Sequence, residues 1–215
     1  MALDVTRIIG AVTREVTTRE KDGTPARVVV ATRTYDTTLE DLWDALTSAE
    51  RIPRWFLPIS GDQRLGGRYQ LEGNAGGEIV RCDPPRRLGL TWGMHGQVSW
   101  VDVELTEDER GGTHLRLEHT AHVPDELWDQ YGPGAVGCGW DSALLGLDQL
   151  FATNASVSPK EAAAWVATDE GKSFMRQSSD AWCAASIAAG TDPGAARAAA
   201  ARTTAAYTGE PEPQG

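Results

Sequence analysis

The sequence predicts an α+β fold in which an antiparallel sheet is covered by one long helix and followed by further helices. Three observations predict it. Stretches of alternating polarity follow one another in hairpin order up to about residue 122; one apolar helical stripe runs from about residue 139 to 152; and the chain after residue 154 carries helix signals only. With 215 residues the chain is long enough for one full core and an appendage. A hydrophobic share of 40% with 24% charged residues is that of a globular protein in water.

The elements follow in order. IGAVTREVTTRE and ARVVVATRTY flank KDGTP, whose Asp22-Gly23 pair favours a tight turn, so residues 9–20 and 26–35 are expected to form a hairpin. In TTLEDLWDALTSAERIPRWF, Thr38 and Asp41 stand in capping relation, and Leu39, Leu42, Trp43 and Leu46 share a helical stripe that Pro53 limits. From Arg64 to about His122 five stretches alternate in polarity: RLGGRYQLEG, GEIVRC, RRLGLTWGM, QVSWVDVELTE and THLRLEHTAH. Alternation puts Leu88, Leu90, Trp92 and Met94 on one face, with Val101, Val103 and Leu105, and Leu115, Leu117, His119 and Ala121. Asp102, Glu104, Arg116 and Glu118 fall on the opposite, solvent face, so the three carboxylates read as a charged exterior and not an acid/base cluster.

Trp140, Leu144, Leu147 and Phe151 then recur at helical spacing, widened by Ala143 and Leu150. A helix of that length spans roughly 20 Å and suits an apolar sheet face. Ser158-Pro159-Lys160-Glu161 carries an N-cap serine, an N1 proline and an N3 glutamate; a second helix reaches Gly190, and Asp192-Pro193 opens a third to about Tyr207, before EPEPQG frays. These helices read as an appendage docked through Trp165, Trp182 and Tyr207.

Composition also excludes. A net charge of -11 with no basic run argues against nucleic acid and anionic membrane surfaces as partners. No stretch is long and apolar enough to span a bilayer, and the start lacks the marks of a secretory signal, so a cytoplasmic location is expected. Three scattered cysteines, Cys82, Cys138 and Cys183, form neither a disulfide framework nor a zinc knuckle. GPGAVG, residues 132–137, spells a dinucleotide-type turn, but no strand precedes it, only helix follows it, and Pro133 removes a backbone donor. Its glycines are expected to serve a turn and close packing at the head of the long helix. His119 and His122, three apart on a strand, point to opposite faces, and His95 and His114 have no partner in ligand spacing, so no metal and no cofactor is expected.

Several residues remain as candidates for chemistry. His119 is aimed at the apolar wall, where a buried imidazole either completes a core hydrogen bond or serves as a ligand contact or acid/base group. Arg33 shares a face with Ala31 and Tyr35; on an inner face its guanidinium needs a carboxylate, an anionic ligand or water. Of eight tryptophans, Trp43, Trp55, Trp92 and Trp140 fall on inward faces or at helix–sheet junctions, where they fill a core or line a cavity.

RTYDTTLEDLWDALTSAERIPRWF, the L-G-G-R-Y turn, D-P-P-R-R-L-G-L-T-W, the L-E-H-T strand and G-W-D-S-A-L-L-G-L, in that order, resemble the family named for activators of the ninety-kilodalton heat-shock chaperone's ATPase. That family belongs to the SRPBCC superfamily of START-like helix-grip proteins, and the match runs from about Val28 to Phe151. The resemblance implies a curved antiparallel sheet of six or seven strands wrapped on a long C-terminal helix, with a hydrophobic cavity between. It implies a helix-grip domain, taken over residues 1–153; the helices beyond it are not part of the usual domain, and residues 154–215 are read as a helical extension. Carried onto this chain, the cavity wall is Leu90, Trp92, Val101, Val103, Leu117 and His119; the helix side is Trp140, Leu144 and Leu147; and the mouth is Trp55 and Phe56.

The function expected is a non-catalytic carrier or sensor for a small hydrophobic molecule, aromatic or lipid-like, with His119, Tyr69 or Arg33 orienting one polar group. Two alternatives stand beside it. One is a cyclase, dehydratase or hydrolase in the same cavity, with His119 as general base and Arg33 as a second candidate catalytic group. The other is an interaction protein acting on a chaperone. Besides the small molecule, a chaperone or a second copy of the chain is the partner left open.

Overall fold

Residues 3–94 and 96–212 are described by the computed structural model, so His95 and the last residues of the EPEPQG tail lie outside the described residues. The chain opens with α1 (Val5–Gly10), capped by the Asp4 carboxylate on the Arg7 N–H, where a strand was expected from residue 9. Six residues carry too little periodicity to reveal such a helix. β1 (Thr13–Lys21) and β2 (Thr24–Tyr35) are the expected hairpin; Asp22 and Gly23, at φ 51° and 75°, make the two-residue turn that matches strand twist. α2 (Leu39–Thr47) starts where Thr38 Oγ1 accepts the Asp41 N–H at 3.2 Å, and a 3-10 turn follows at Ile52–Arg54.

The meander comprises β3 (Ile59–Gly61), β4 (Arg68–Leu71), β5 (Gly76–Asp83), β6 (Arg87–Met94), β7 (Gln97–Glu107) and β8 (Thr113–Ala121). α3 (Asp125–Tyr131), α4 (Gly134–Thr153), α5 (Pro159–Val166), α6 (Asp169–Ala188) and α7 (Pro193–Thr208) complete the chain. Among the described residues the sheet has eight strands in the order β1-β2-β8-β7-β6-β5-β4-β3, which corrects the expected six or seven. The additional strand is β3, whose three residues are too short to show alternation and which pairs with β4 through Ile59↔Leu71 and Gly61↔Tyr69. An α+β architecture with an antiparallel sheet and a long helix after it is the helix-grip class.

Two compact units are interleaved along the chain. The first comprises Met1–Ala31, His122–Ser142 and Lys160–Gly215; the second comprises Thr32–Ala121 and Ala143–Pro159; β2 and α4 run through both. In the first unit α6 and α7 pack through Cys183, Ala196 and Ala200 with Ile187 against them. Arg202 donates to the Gln130 and Asp129 carbonyls, and Thr203 to that of Tyr131, tying α7 to α3. Trp182 is wholly buried, whereas Trp165 stacks edge-on with Phe174 at 5.5 Å and Tyr207 donates to the Ala135 carbonyl at 2.9 Å.

GPGAVG is the place where these helices meet. α4 begins at Gly134, five residues earlier than the stripe indicates, because packing overrides the low helix propensity of glycine. A Cβ on Gly137 would lie 2.3 Å from the Trp182 ring, and one on Gly134 3.1 Å from Thr203. Only Gly132, at φ 61°, supplies a left-handed turn, and the element before it is α3, not a strand. Asp141, one turn further along α4, accepts from Arg14 Nε at 3.0 Å, from Ser178 Oγ and from Trp182 Nε1 at 3.1 Å. Burial pushes this carboxyl above the usual carboxylate range, against the pull of Arg14, Ser178 and Trp182.

The second unit holds the long strands. Leu88↔Val103 and Leu90↔Val101 align β6 with β7, while Val101↔His119, Val103↔Leu117 and Leu105↔Leu115 align β7 with β8, so the apolar residues stack on one face. The C-terminal half of α4 belongs to the same unit. Its Leu144 carbonyl accepts the Tyr35 hydroxyl at 3.1 Å, and a Cβ on Gly146 would lie 2.1 Å from the Trp55 carbonyl oxygen. Arg54 fastens the end of the helix by donating to Asn154 and Ser156.

Candidate ligand-binding site

The inner face of the second unit is built by strand alternation, and two clusters of functional side chains lie on it. In the first, Tyr69 on β4, Trp92 on β6 and His119 on β8 form a chain of rings with centroids 6.5 and 6.3 Å apart. Tyr69 donates its hydroxyl to the Thr91 carbonyl at 2.9 Å, and burial pushes its pKa upward, so the phenol is neutral.

His119 is tied down by Ser99. The Ser99 hydroxyl donates to the Trp92 carbonyl at 3.0 Å, which leaves its oxygen to accept from His119 Nε2 at 2.8 Å. The proton of the neutral imidazole therefore sits on Nε2. Burial lowers the pKa to about 4, so the ring is uncharged at neutral pH and a weak proton acceptor.

The second cluster surrounds Arg33. Its face of β2 is the one whose Tyr35 reaches α4, so the guanidinium lies on the inner side, 5% exposed. Nη2 pairs with the Asp148 carboxylate of α4, and the guanidinium carbon lies 5.2 Å from the centre of the Tyr35 ring. Nε and Nη1 are buried and have no hydrogen-bond partner among the described residues. Tyr35 in turn lies 5.8 Å from Phe151.

The expected wall residues are placed as follows. Val101, Val103 and Leu117 are buried and aligned by register, whereas Leu90 and Trp92 on the same face are only half-buried. Trp55 and Phe56 stack on each other at 5.4 Å and are also half-buried, with Trp55 Nε1 donating to the Ala45 carbonyl. Leu144 and Leu147 are buried on α4 in the same unit. Trp140 is buried too, but it belongs to the first unit. Met94, assigned to the inner face, is 43% exposed because it sits at the end of β6, and Glu118 on the outer face is largely covered and pairs with Arg116 at 2.7 Å. His114 meets Thr34 Oγ1 at 3.2 Å, and His122 the Pro25 carbonyl at 3.2 Å.

Two residues of these clusters escape sequence reasoning, Ser99 and Asp148, as does the buried Asp141 of the first unit. Asp148 leaves one trace, a carboxylate directly after Leu147 of the apolar stripe.

The fold and the inner face thus define a START-like protein of the SRPBCC superfamily. The chain belongs to the family of Activator of Hsp90 ATPase homolog 1-like proteins, whose family model matches residues 36–152. It is similar to CalU16 from Micromonospora echinospora: the crystal structure of that protein is 34% identical over 81% of this chain and 98% of its own, with a TM-score of 0.63. The solution structure of CalU16 is 32% identical over 83% and 97%, with a TM-score of 0.68. This likeness extends beyond the span of the family model into the flanking segments. MLL2253 from Mesorhizobium loti is 28% identical over 58% of this chain and 96% of its own, with a TM-score of 0.52. DynU16, from the dynemicin biosynthetic locus, shares the fold at 19% identity and a TM-score of 0.53, over 60% of this chain and 48% of its own. No curated protein matches the chain. No helix among the described residues is long and apolar enough to cross a membrane.

Proposed function

We propose that the protein is a cytoplasmic, non-catalytic carrier or sensor that holds a small apolar molecule, aromatic or lipid-like, between the inner sheet face and α4. The observation that carries this reading is the incomplete burial of large apolar side chains on that face. Leu90 and Trp92 neighbour the fully buried Val101 and Tyr69, yet both keep accessible surface, as do Trp55 and Phe56. At about 25 cal/mol per Å², covering an area of the size an aromatic side chain buries, about 150–250 Å², contributes roughly 4–6 kcal/mol before the cost of association. The low basicity of His119 supports a carrier over an enzyme that abstracts a proton there. A helix-grip domain over 1–153 with 154–215 as its extension is the organisation that goes with this reading.

A calorimetric and fluorescence screen of lipids, polyketides and aromatic metabolites tests it. Saturable binding that Trp92→Ala weakens is the expected result. Stimulation of a chaperone's ATPase without any small-molecule binding would move the function to protein interaction instead.

A further inference from the structure

Arg33 sets a chemical condition on the molecule that the inner face accepts. Its side chain is 4% exposed, and of its three nitrogens only Nη2 is engaged, by Asp148. Nε and Nη1 are closed to bulk water and carry N–H groups with no acceptor among the described residues. A buried donor without an acceptor costs free energy, and the group that supplies one gains in proportion. The neighbours do not supply it: among the described residues no acceptor lies within hydrogen-bond reach of Nε or Nη1, and the Tyr35 ring offers Arg33 a π face.

The charge state of the pair narrows the choice. Asp148 already balances the guanidinium charge, so a second carboxylate would stand beside the first with no cation left to balance it. A neutral oxygen acceptor, as in a ketone, quinone or amide, satisfies the N–H groups without adding charge.

We propose that the Arg33–Asp148 pair is the polar subsite of the inner face and selects apolar ligands that carry a neutral carbonyl-type acceptor over ligands that carry a carboxylate. This rests on the reading of a ligand-holding inner face given above. Arg33 supplies the donors, Asp148 supplies the charge balance, and the half-buried aromatic residues supply the apolar wall.

Three probes of one shape separate the terms: 2-acetylnaphthalene, 2-naphthoate and 2-ethylnaphthalene, each titrated into the full chain at pH 7 and followed by tryptophan fluorescence and calorimetry. The ketone is expected to bind about tenfold or more tightly than the hydrocarbon, the gain of a hydrogen bond to a charged donor, with the carboxylate weakest. Asp148→Asn removes the balancing charge and is expected to reverse the order, so that naphthoate binds more tightly than the ketone. Equal affinity for all three probes in the wild-type chain, or an unchanged order in a folded Asp148→Asn protein, overturns the subsite while leaving the apolar site standing. No saturable binding of any probe to the wild-type chain overturns both. The wild-type order is readable even if the variant does not fold.

Discussion

His119 is neutral in the fold because burial lowers its pKa from 6.5 to about 4. The unfolded chain therefore takes up a proton as pH falls through 6.5 while the folded chain does not. Stability contributed by this residue is full above 6.5 and is lost as pH falls to about 4, a change on the order of 3 kcal/mol. Urea unfolding at pH 7 and pH 4.5 should show this loss in the wild-type chain and a smaller one in His119→Gln, which keeps an amide donor for Ser99. An equal slope in both would show that other groups carry the acid sensitivity. Trp92, which lies 6.3 Å from the imidazole, is expected to matter for binding more than for folding because it is only half-buried. Trp92→Ala should weaken ligand binding by at least about tenfold, read by calorimetry.

Among the elements, α4 carries two different jobs. In the first unit its glycines let α6 approach: a Cβ on Gly137 would lie 2.3 Å from Trp182, so Gly137→Ala should cost about 1–3 kcal/mol by chemical denaturation. Gly10→Ala, with open space around its Cβ, is the control and should leave stability nearly unchanged. Asp141 on the same helix is a buried carboxyl group held by Arg14, Ser178 and Trp182. Asp141→Ala leaves Arg14 without its partner and should cost about 3–5 kcal/mol, much of which the double variant Arg14→Met, Asp141→Leu should restore. Full loss in the double variant as well would mean that the pair is needed for more than mutual compensation. In the second unit the same helix is tied to β2 instead, through the Leu144 carbonyl to Tyr35 and through Asp148 to Arg33.

Across the whole molecule, what the sequence made legible follows the length of each element. β6, β7 and β8 each run for eight or more residues with one covered face, so their alternation alone assigns Leu90, Val101, Val103, Leu117 and His119 to that face. α1, β3 and α3 have six, three and seven residues, too few periods to read. The helix starts at Pro159 and Pro193 were legible because capping chemistry is local. The partner of Arg33 was not, since Asp148 lies 115 residues away and only tertiary structure joins them. Ser99 was hidden for a similar reason, because its role depends on a diagonal contact across two strands.

The central claim is that the inner face of the sheet, under α4, holds a small apolar molecule. A crystal structure of the protein grown with 2-acetylnaphthalene tests it most directly. The account predicts electron density for the naphthalene against Leu90 and Trp92, with its carbonyl oxygen within hydrogen-bond distance of Arg33 Nε or Nη1. An interior filled by its own side chains, with the probe absent or held only on the outer surface, would contradict it.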